Sequence, residues 1–183
     1  FINNKEAEQE MRKDALWALG YWPTPPLLDR VDNRYREPSG QHKLNEAQLA
    51  MAGSFTGLLS GSAAELRAAT ATAVGRLQQK TLAPVLFQMF QNRNQPSLVR
   101  QAALRSLAKL ETADLKTALE LALEDADVEL RKVSQQLIGE VKLPAEDVVS
   151  MLSKVLENAS LAEKQKAINS LAVLQGAAGE TLV

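Results

Sequence analysis

The amino-acid sequence predicts an all-α fold, an α-α superhelix (α-solenoid) of about five helix pairs. A basic anchor residue recurs at intervals of 55, 33, 31 and 33 residues, and apolar residues follow each anchor at helical spacing. No stretch shows the alternating pattern of a β-strand. Because one helix pair cannot cover its own apolar face, successive pairs are expected to stack. The anchors are Arg12, Arg67, Arg100, Arg131 and Lys164.

Three columns after the anchors predict how the helices pack. The seventh and tenth positions are apolar and lie on one helical face, while the eighth is always small. Glycine inside a helix costs about 1 kcal/mol relative to alanine, so the small column indicates a close approach between helices. The seventh column is Leu19, Val74, Leu107, Ile138 and Leu171; the eighth is Gly20, Gly75, Ala108, Gly139 and Ala172; the tenth is Trp22, Leu77, Leu110, Val141 and Leu174.

Each anchored helix has a start signal in the residues before its anchor. Ser62 with Glu65, and Ser160 with Glu163, have the spacing of a capping box. Pro96 suits a first helical position and Asp127 an N-cap. The partner helices are predicted over residues 45–60, 82–91, 113–124 and 145–157.

These residues resemble the HEAT-repeat family. The matching features are the aliphatic–Arg pair that opens the second helix, as in Val99-Arg100, and a polar turn residue six positions before the anchor. Gly61 and Lys164 depart from the pattern. The resemblance covers nearly the whole chain outside residues 23–44, and it implies a fold more specifically than a function. The turn residues that match are Asn94, Asp125 and Asn158.

Composition excludes several classes of function. The 183 residues predict a single domain over 1–183, and a net charge of −1 argues against a dedicated nucleic-acid binder. Without Cys and with one His, no zinc-thiolate, paired-His or c-type haem site is expected, so we predict no metal, no cofactor and no catalytic residue. No membrane-spanning run is present. The start at Phe1 and the lack of a polar tail at the end suggest a fragment of a longer protein.

The repeat is interrupted by a Pro-rich loop insertion at 23–44. A short helix is predicted over residues 26–32, because Leu27, Leu28 and Val31 share one helical face. A loop is predicted over residues 32–42. Long insertions in repeat proteins often carry function, and half of the eight aromatic residues fall between Trp17 and Tyr35. Mixed charges favour a protein partner over nucleic acid. The candidate protein-binding residues are Trp17, Tyr21, Trp22, Arg30, Asp32, Arg34, Tyr35 and Arg36.

Two interpretations of this insertion stay open. In the first, the aromatic residues close the exposed end of the superhelix and the charges pair within the loop. In the second, the loop binds a partner. The anchor cations raise a similar choice, between binding an anion and capping turn carbonyls, and capping is favoured.

Residues 12–36 also resemble the helical repeat segment of large exported bacterial proteins. Those proteins join a sugar dehydrogenase β-propeller of the glucose or sorbosone type, HEAT-like repeats and a c-type haem domain. The resemblance implies that oxidoreductase chemistry lies on other domains and that the compartment is periplasmic or extracellular.

Three smaller features have structural explanations. The carboxylates at one turn lack the EF-hand spacing, and His42 lacks a neighbouring nucleophile motif. Gly53 and Gly57 are expected to allow close packing on one helix. The carboxylates are Glu120, Glu124, Asp125, Asp127 and Glu129.

We therefore predict a non-catalytic scaffold or protein-interaction module that contacts protein through a concave face or through the 23–44 insertion. It is expected to act as a spacer within a larger exported dehydrogenase or haem-type protein. The partner is another domain of the same polypeptide or a separate protein, and its identity and the oligomeric state are not encoded in a recognisable pattern. Two alternatives remain: a HEAT-like nucleic-acid-binding or base-repair protein, which needs a basic concave face, and a helical-repeat chromophore lyase, which needs a ligand groove.

Overall fold

The structure, a computed structural model, describes residues 1–37 and 42–180, and the side chains of all of these except Asn158 and 173–180. These residues form ten α-helices, and the only strand-like pairing among them is an isolated bridge. The all-α helical-repeat class is confirmed. Residues 38–41 of the predicted loop, and the side chains of Asn158 and Leu174, lie outside what the structure describes.

The chain divides into two compact units, residues 1–112 and 113–183. In unit 1, α3 pairs with α4 and α5 with α6, while α1 packs on α4 and α4 packs on α6. In unit 2, α7 pairs with α8 and α9 with α10. The helices of unit 1 are α1 (Gln9–Gly20), α2 (Leu44–Ala50), α3 (Ser54–Gly61), α4 (Ala64–Arg76), α5 (Ala83–Gln91) and α6 (Ser97–Leu110); those of unit 2 are α7 (Leu115–Leu123), α8 (Val128–Glu140), α9 (Ala145–Asn158) and α10 (Leu161–Glu180).

The predicted apolar columns form the core where helices are covered on both sides. Val74 and Leu107 of the seventh column, and Leu77 and Leu110 of the tenth, are almost fully buried. Trp22, by contrast, is 39% exposed, because it lies at the end of α1 next to the insertion. The periodicity therefore predicted the core most accurately in the middle repeats.

All five anchor cations donate to backbone carbonyls, which confirms the capping predicted for Arg67, Arg100, Arg131 and Lys164. The anchors Arg12, Arg67 and Arg100 donate to the carbonyls of Ile2, Ser62 and Phe90 at 2.6–2.8 Å. In unit 2, Arg131 donates to the carbonyls of Asp125 and Ala126, and Lys164 donates to that of Glu157. Each cation closes the turn between the two helices of its pair or, for Arg12, the segment before α1. These groups are consequently engaged in the fold rather than presented as a row of anion ligands.

Helix starts follow the predictions in two of the four places. Asp127 accepts a hydrogen bond from the Glu129 amide at 2.9 Å, and Ser160 exchanges hydrogen bonds with Glu163 as a capping box requires. The Ser62 capping box is wrong, because the Ser62 hydroxyl donates to the carbonyl of Leu58 in the preceding helix. Pro96 is the N-cap of α6 rather than its first residue.

Two predicted helices are also corrected. The helix expected over residues 45–60 is broken between α2 and α3, where Gly53 adopts a left-handed conformation with φ +79°. A Cβ on Gly53 or Gly57 would meet no described atom within 4 Å, so these glycines do not serve close packing. The helix expected over 26–32 is absent, and residues 27–36 form a hairpin instead.

Candidate functional site

The hairpin of residues 27–36 is closed by its own backbone. The amide of Asp29 donates to the Arg34 carbonyl and that of Arg36 donates to the Leu27 carbonyl, both at 2.8 Å, on either side of a bridge between Leu28 and Tyr35. Asn33 takes a left-handed conformation with φ 55°, which a turn requires and asparagine tolerates. The backbone pairing replaces the helix that the Leu27, Leu28 and Val31 spacing predicted.

Asp29 organises the turn, although the sequence reasoning did not select it as a site residue. Its carboxylate accepts hydrogen bonds from the amides of Val31 at 2.8 Å and Asp32 at 3.2 Å, and it lies 3.3 Å from Arg36. These bonds, the two backbone amides first, lower the pKa of Asp29 below its ordinary value. An Asp that bonds the amides two and three residues ahead is a turn signal that the sequence already contained.

The charged candidates of the hairpin pair with one another. Arg36 lies 3.1 Å from Asp32, and Arg34 lies 3.8 Å from the same carboxylate. Arg30 reaches out of the hairpin to Asp14 of α1 at 2.6 Å. The Arg and Asp side chains of the hairpin are therefore paired within the hairpin or, for Arg30, with α1, which favours the first of the two interpretations.

The apolar side chains of the hairpin face solvent. Val31 is 95% exposed and Tyr35 is 65% exposed, with Leu27 and Leu28 each about half exposed. We call these four residues the hairpin surface. Exposed aliphatic and aromatic side chains grouped on one ordered turn are typical of a contact surface. The sequence pattern indicated Tyr35 but not the three aliphatic residues, because it placed them together on one face of a short helix.

A second group, the aromatic cluster, joins α1 to the hairpin and to α4. The rings of Trp17 and Tyr21 lie 4.6 Å apart, the Arg30 guanidinium lies 5.2 Å from the Trp17 ring, and the Arg76 guanidinium lies 3.4 Å from the Tyr21 ring. Trp17, Arg30 and Arg76 line a cavity of about 220 Å³. The arrangement stacks each cation on an aromatic face, a favourable contact.

Arg76 is the member of the aromatic cluster that the sequence did not reveal. Its Nε is buried and has no hydrogen-bond partner, and burial lowers its pKa. The aliphatic part of Arg76 passes over Gly20, where an added Cβ would lie 3.2 Å from Arg76 Cδ. The small column thus allows the approach that brings Arg76 onto Tyr21.

The remaining candidate, Trp22, belongs to neither group. Its indole Nε1 donates to Glu46 of α2 at 3.2 Å, and its ring lies 4.4 Å from the ring of His42. The contacts of Trp22 with His42 and Glu46 therefore join the end of α1 to the start of α2. Glu46 also accepts from the Lys43 amide, which fixes the start of that helix.

Metal-ligand groups and membrane-spanning helices are both absent from the described residues. Within residues 1–37 and 42–180, no three His, Asp or Glu side chains are grouped as metal ligands would be. Across the same part of the chain, no helix combines the length and apolar character needed to cross a membrane.

Comparison with known proteins supports the repeat assignment. No curated protein matches the chain. The central segment, residues 55–137, matches the family described as HEAT repeats. This segment runs from α3 through α6 in unit 1 and through α7 into α8 in unit 2. HEAT repeats are generally non-catalytic and usually mediate protein interaction. This central part of the chain is therefore similar to a HEAT-repeat scaffold or interaction module.

Proposed function

We propose that the chain is a non-catalytic interaction module that contacts a protein partner through the hairpin surface. The observation that carries the proposal is that the charged side chains of the hairpin are paired while its apolar side chains are exposed. Its arginines and aspartates are paired with one another or with Asp14, whereas Val31 and Tyr35 stay exposed. Covering such side chains gains free energy in proportion to the apolar area removed from water.

The aromatic cluster supplies the second part of the contact. Tyr, Trp and Arg are enriched among the residues that contribute most to protein–protein binding. Trp17 is 36% exposed, and Arg30 of the hairpin both lies over its ring and pairs with Asp14 on the same helix. Because the turn is held by backbone hydrogen bonds before any partner arrives, little conformational entropy is lost on binding.

The proposed context is a spacer in an exported protein that carries sugar dehydrogenase and c-type haem domains. This part of the proposal rests on the resemblance of residues 12–36. The partner is then another domain of the same polypeptide, in the periplasm or outside the cell, and the redox chemistry lies on that polypeptide's other domains. Sequencing the gene on both sides of this segment tests it: flanking reading frame without propeller-type strands or a CxxCH motif would remove the context.

Site-specific cross-linking in the full reading frame tests the contact itself. The photoreactive amino acid p-benzoylphenylalanine is placed at Tyr35 and, as a matched control, at Lys142, which is exposed between α8 and α9. We expect a cross-link at Tyr35 and none at Lys142. A peptide map of the product shows whether the partner is a domain of the same chain or a separate protein.

A double substitution distinguishes contact from folding. Replacing Arg34 and Tyr35 with Ala should leave the helical circular dichroism unchanged and reduce a cross-link formed from Val31. Loss of the helical signal would show that the hairpin is part of the core, and equal cross-linking at Tyr35 and Lys142 would exclude a specific surface.

A further inference from the structure

Unit 2 contains a groove that the hairpin proposal does not use. It has a volume of about 550 Å³ and lies among α7, α8, α9 and α10. Its apolar lining includes Leu123, Met151 and Val155. The volume is within the range of about 300–1,000 Å³ typical of ligand pockets, and it is larger than a single side chain needs.

A buried glutamine lines this groove at a register that is apolar in the other helices. Gln135 stands four residues after the anchor Arg131, where α1, α4 and α6 bury Leu16, Ala71 and Leu104. Gln135 is only 5% exposed, and its Oε1 has no hydrogen-bond partner. Since buried polar atoms are nearly always paired, the unpartnered Gln135 Oε1 offers an unused acceptor beside the groove.

The charged residues of the groove define the sign of that ligand. Four carboxylates line it against two cations, Arg131 and Lys154. Arg131 is committed to Glu163 at 2.8 Å and to the Asp125 carbonyl at 2.9 Å. Lys154 is 3.9 Å from Glu124, and both side chains are more than half exposed. The groove therefore has an excess of negative charge. Its carboxylates are Glu120, Glu124, Asp125 and Glu163.

We propose that this groove binds a basic side chain, Lys or Arg, of a protein partner. The cationic head group donates to Gln135 Oε1 and is attracted by Glu120 and Glu124. The aliphatic stem lies along the apolar lining, which suits the amphipathic form of both side chains. Both head groups offer several N–H donors and no acceptor, matching an acceptor-rich site. The surplus volume accommodates the residues that flank the basic one, which favours a peptide segment over a free diamine.

Nuclear magnetic resonance titration of the ¹⁵N-labelled chain tests the proposal. The probe is the peptide acetyl-Ala-Leu-Lys-Leu-Ala-amide, compared with peptides in which norleucine or Glu replaces Lys, and with putrescine. We expect saturable shifts of the Gln135 side-chain amide and of the Ser160 and Glu163 backbone amides with the Lys peptide. The other three probes should bind at least tenfold more weakly. Raised salt should lower the affinity for the Lys peptide.

Two variants locate the interaction. Gln135→Leu should reduce affinity for the Lys peptide at least tenfold, whereas Gln136→Leu, an exposed neighbour that bonds Glu140 at 2.7 Å, should not. The double variant Glu120→Gln, Glu124→Gln should bind at least threefold more weakly, and it decides the matter if Gln135→Leu does not fold. Equal binding of the norleucine peptide, tighter binding of putrescine, or unchanged affinity in both groove variants would overturn the proposal.

Discussion

Gly75 of α4 lies directly against Ser106 of α6, so that a Cβ on Gly75 would be 2.8 Å from Ser106 Cβ and 2.9 Å from Ser106 Cα. Ser106 is itself fixed, because its hydroxyl donates to the Ala71 carbonyl of α4 at 2.8 Å and the residue is almost fully buried. Neither the backbone nor the short side chain of Ser106 can move aside without separating the two helices.

Gly75→Ala should therefore destabilise the protein even though Ala is the better helix former. We expect a loss of about 1–3 kcal/mol in the free energy of unfolding, the usual cost of overpacking a core. Gly139→Ala is the matched control, because a Cβ there meets no described atom within 4 Å. That substitution should gain about 0.5–1 kcal/mol from helix propensity. Urea unfolding of both variants measures the difference; stabilisation by Gly75→Ala would contradict the close approach.

The small column shows how far a repeat pattern predicts packing. It predicted Gly75 correctly, and Gly20 lies near Ala73 and Arg76 of α4 as expected. It was wrong for Gly139, since a helix pattern fixes which face a residue occupies but not how closely the next helix approaches. The anchors were predicted more accurately, because a cation six residues after a turn can reach that turn's carbonyls within its own helix pair.

Arg100→Ala should lower the melting temperature. Arg100 is 6% exposed, and its Nε donates to the Phe90 carbonyl at 2.8 Å. Removing the side chain leaves that buried carbonyl without this donor, at a cost of about 1–3 kcal/mol. Arg93→Ala, at an exposed position in the same turn, is the control and should change the free energy of unfolding by less than about 0.5 kcal/mol. If Arg100→Ala leaves the melting temperature unchanged, the anchors are again candidates for ligand binding.

Glu163 should make the stability of unit 2 depend on acid pH. Hydrogen bonds from Ser160 and Arg131 lower the pKa of Glu163 from 4.5 to about 2. Because the folded-state pKa lies below the unfolded value, its contribution is complete above pH 4.5 and is lost as the pH falls toward 2. With Arg131 23% exposed and partly screened by solvent, we expect about 1–2 kcal/mol.

Unfolding of Glu163→Gln measured between pH 7 and pH 2 checks this sign. The wild type should be more stable at pH 7, and the difference should shrink toward zero at pH 2. Glu129→Gln, which breaks an exposed pair with Lys132, is the control and should show almost no difference across the range. A difference that grows on acidification would show that Glu163 is not held as the ionised partner of Arg131.

The candidate site was predicted less completely than the fold. Composition pointed to Trp17, Tyr21 and Tyr35 because aromatic residues are scarce and clustered, and the structure does bring Trp17 and Tyr21 together. Arg76 was missed because it follows Tyr21 by 55 residues and meets it only through packing of α1 on α4. Val31 was misplaced because three apolar residues at helical spacing outweighed the turn signal of Asp29 and Asn33.

Asp29→Ala should release the hairpin without disturbing the helices. The Asp29 carboxylate accepts hydrogen bonds from the amides of Val31 and Asp32. These two bonds are the main cause of its lowered pKa, and they also fix the shape of the turn. We expect faster tryptic cleavage after Arg30, Arg34 and Arg36, with unchanged circular dichroism and melting temperature, because exposed, weakly protected turns are the first segments to open.

Asp29→Asn separates the two roles of that carboxylate. The amide oxygen of Asn still accepts from the Val31 and Asp32 amides but no longer attracts Arg36, which lies 3.3 Å from the carboxylate. If backbone hydrogen bonds order the hairpin, Asp29→Asn keeps most of the protection from trypsin. If the ion pair with Arg36 orders it, both variants are cleaved equally fast, and the exposed position of Val31 then depends on charge rather than on turn geometry.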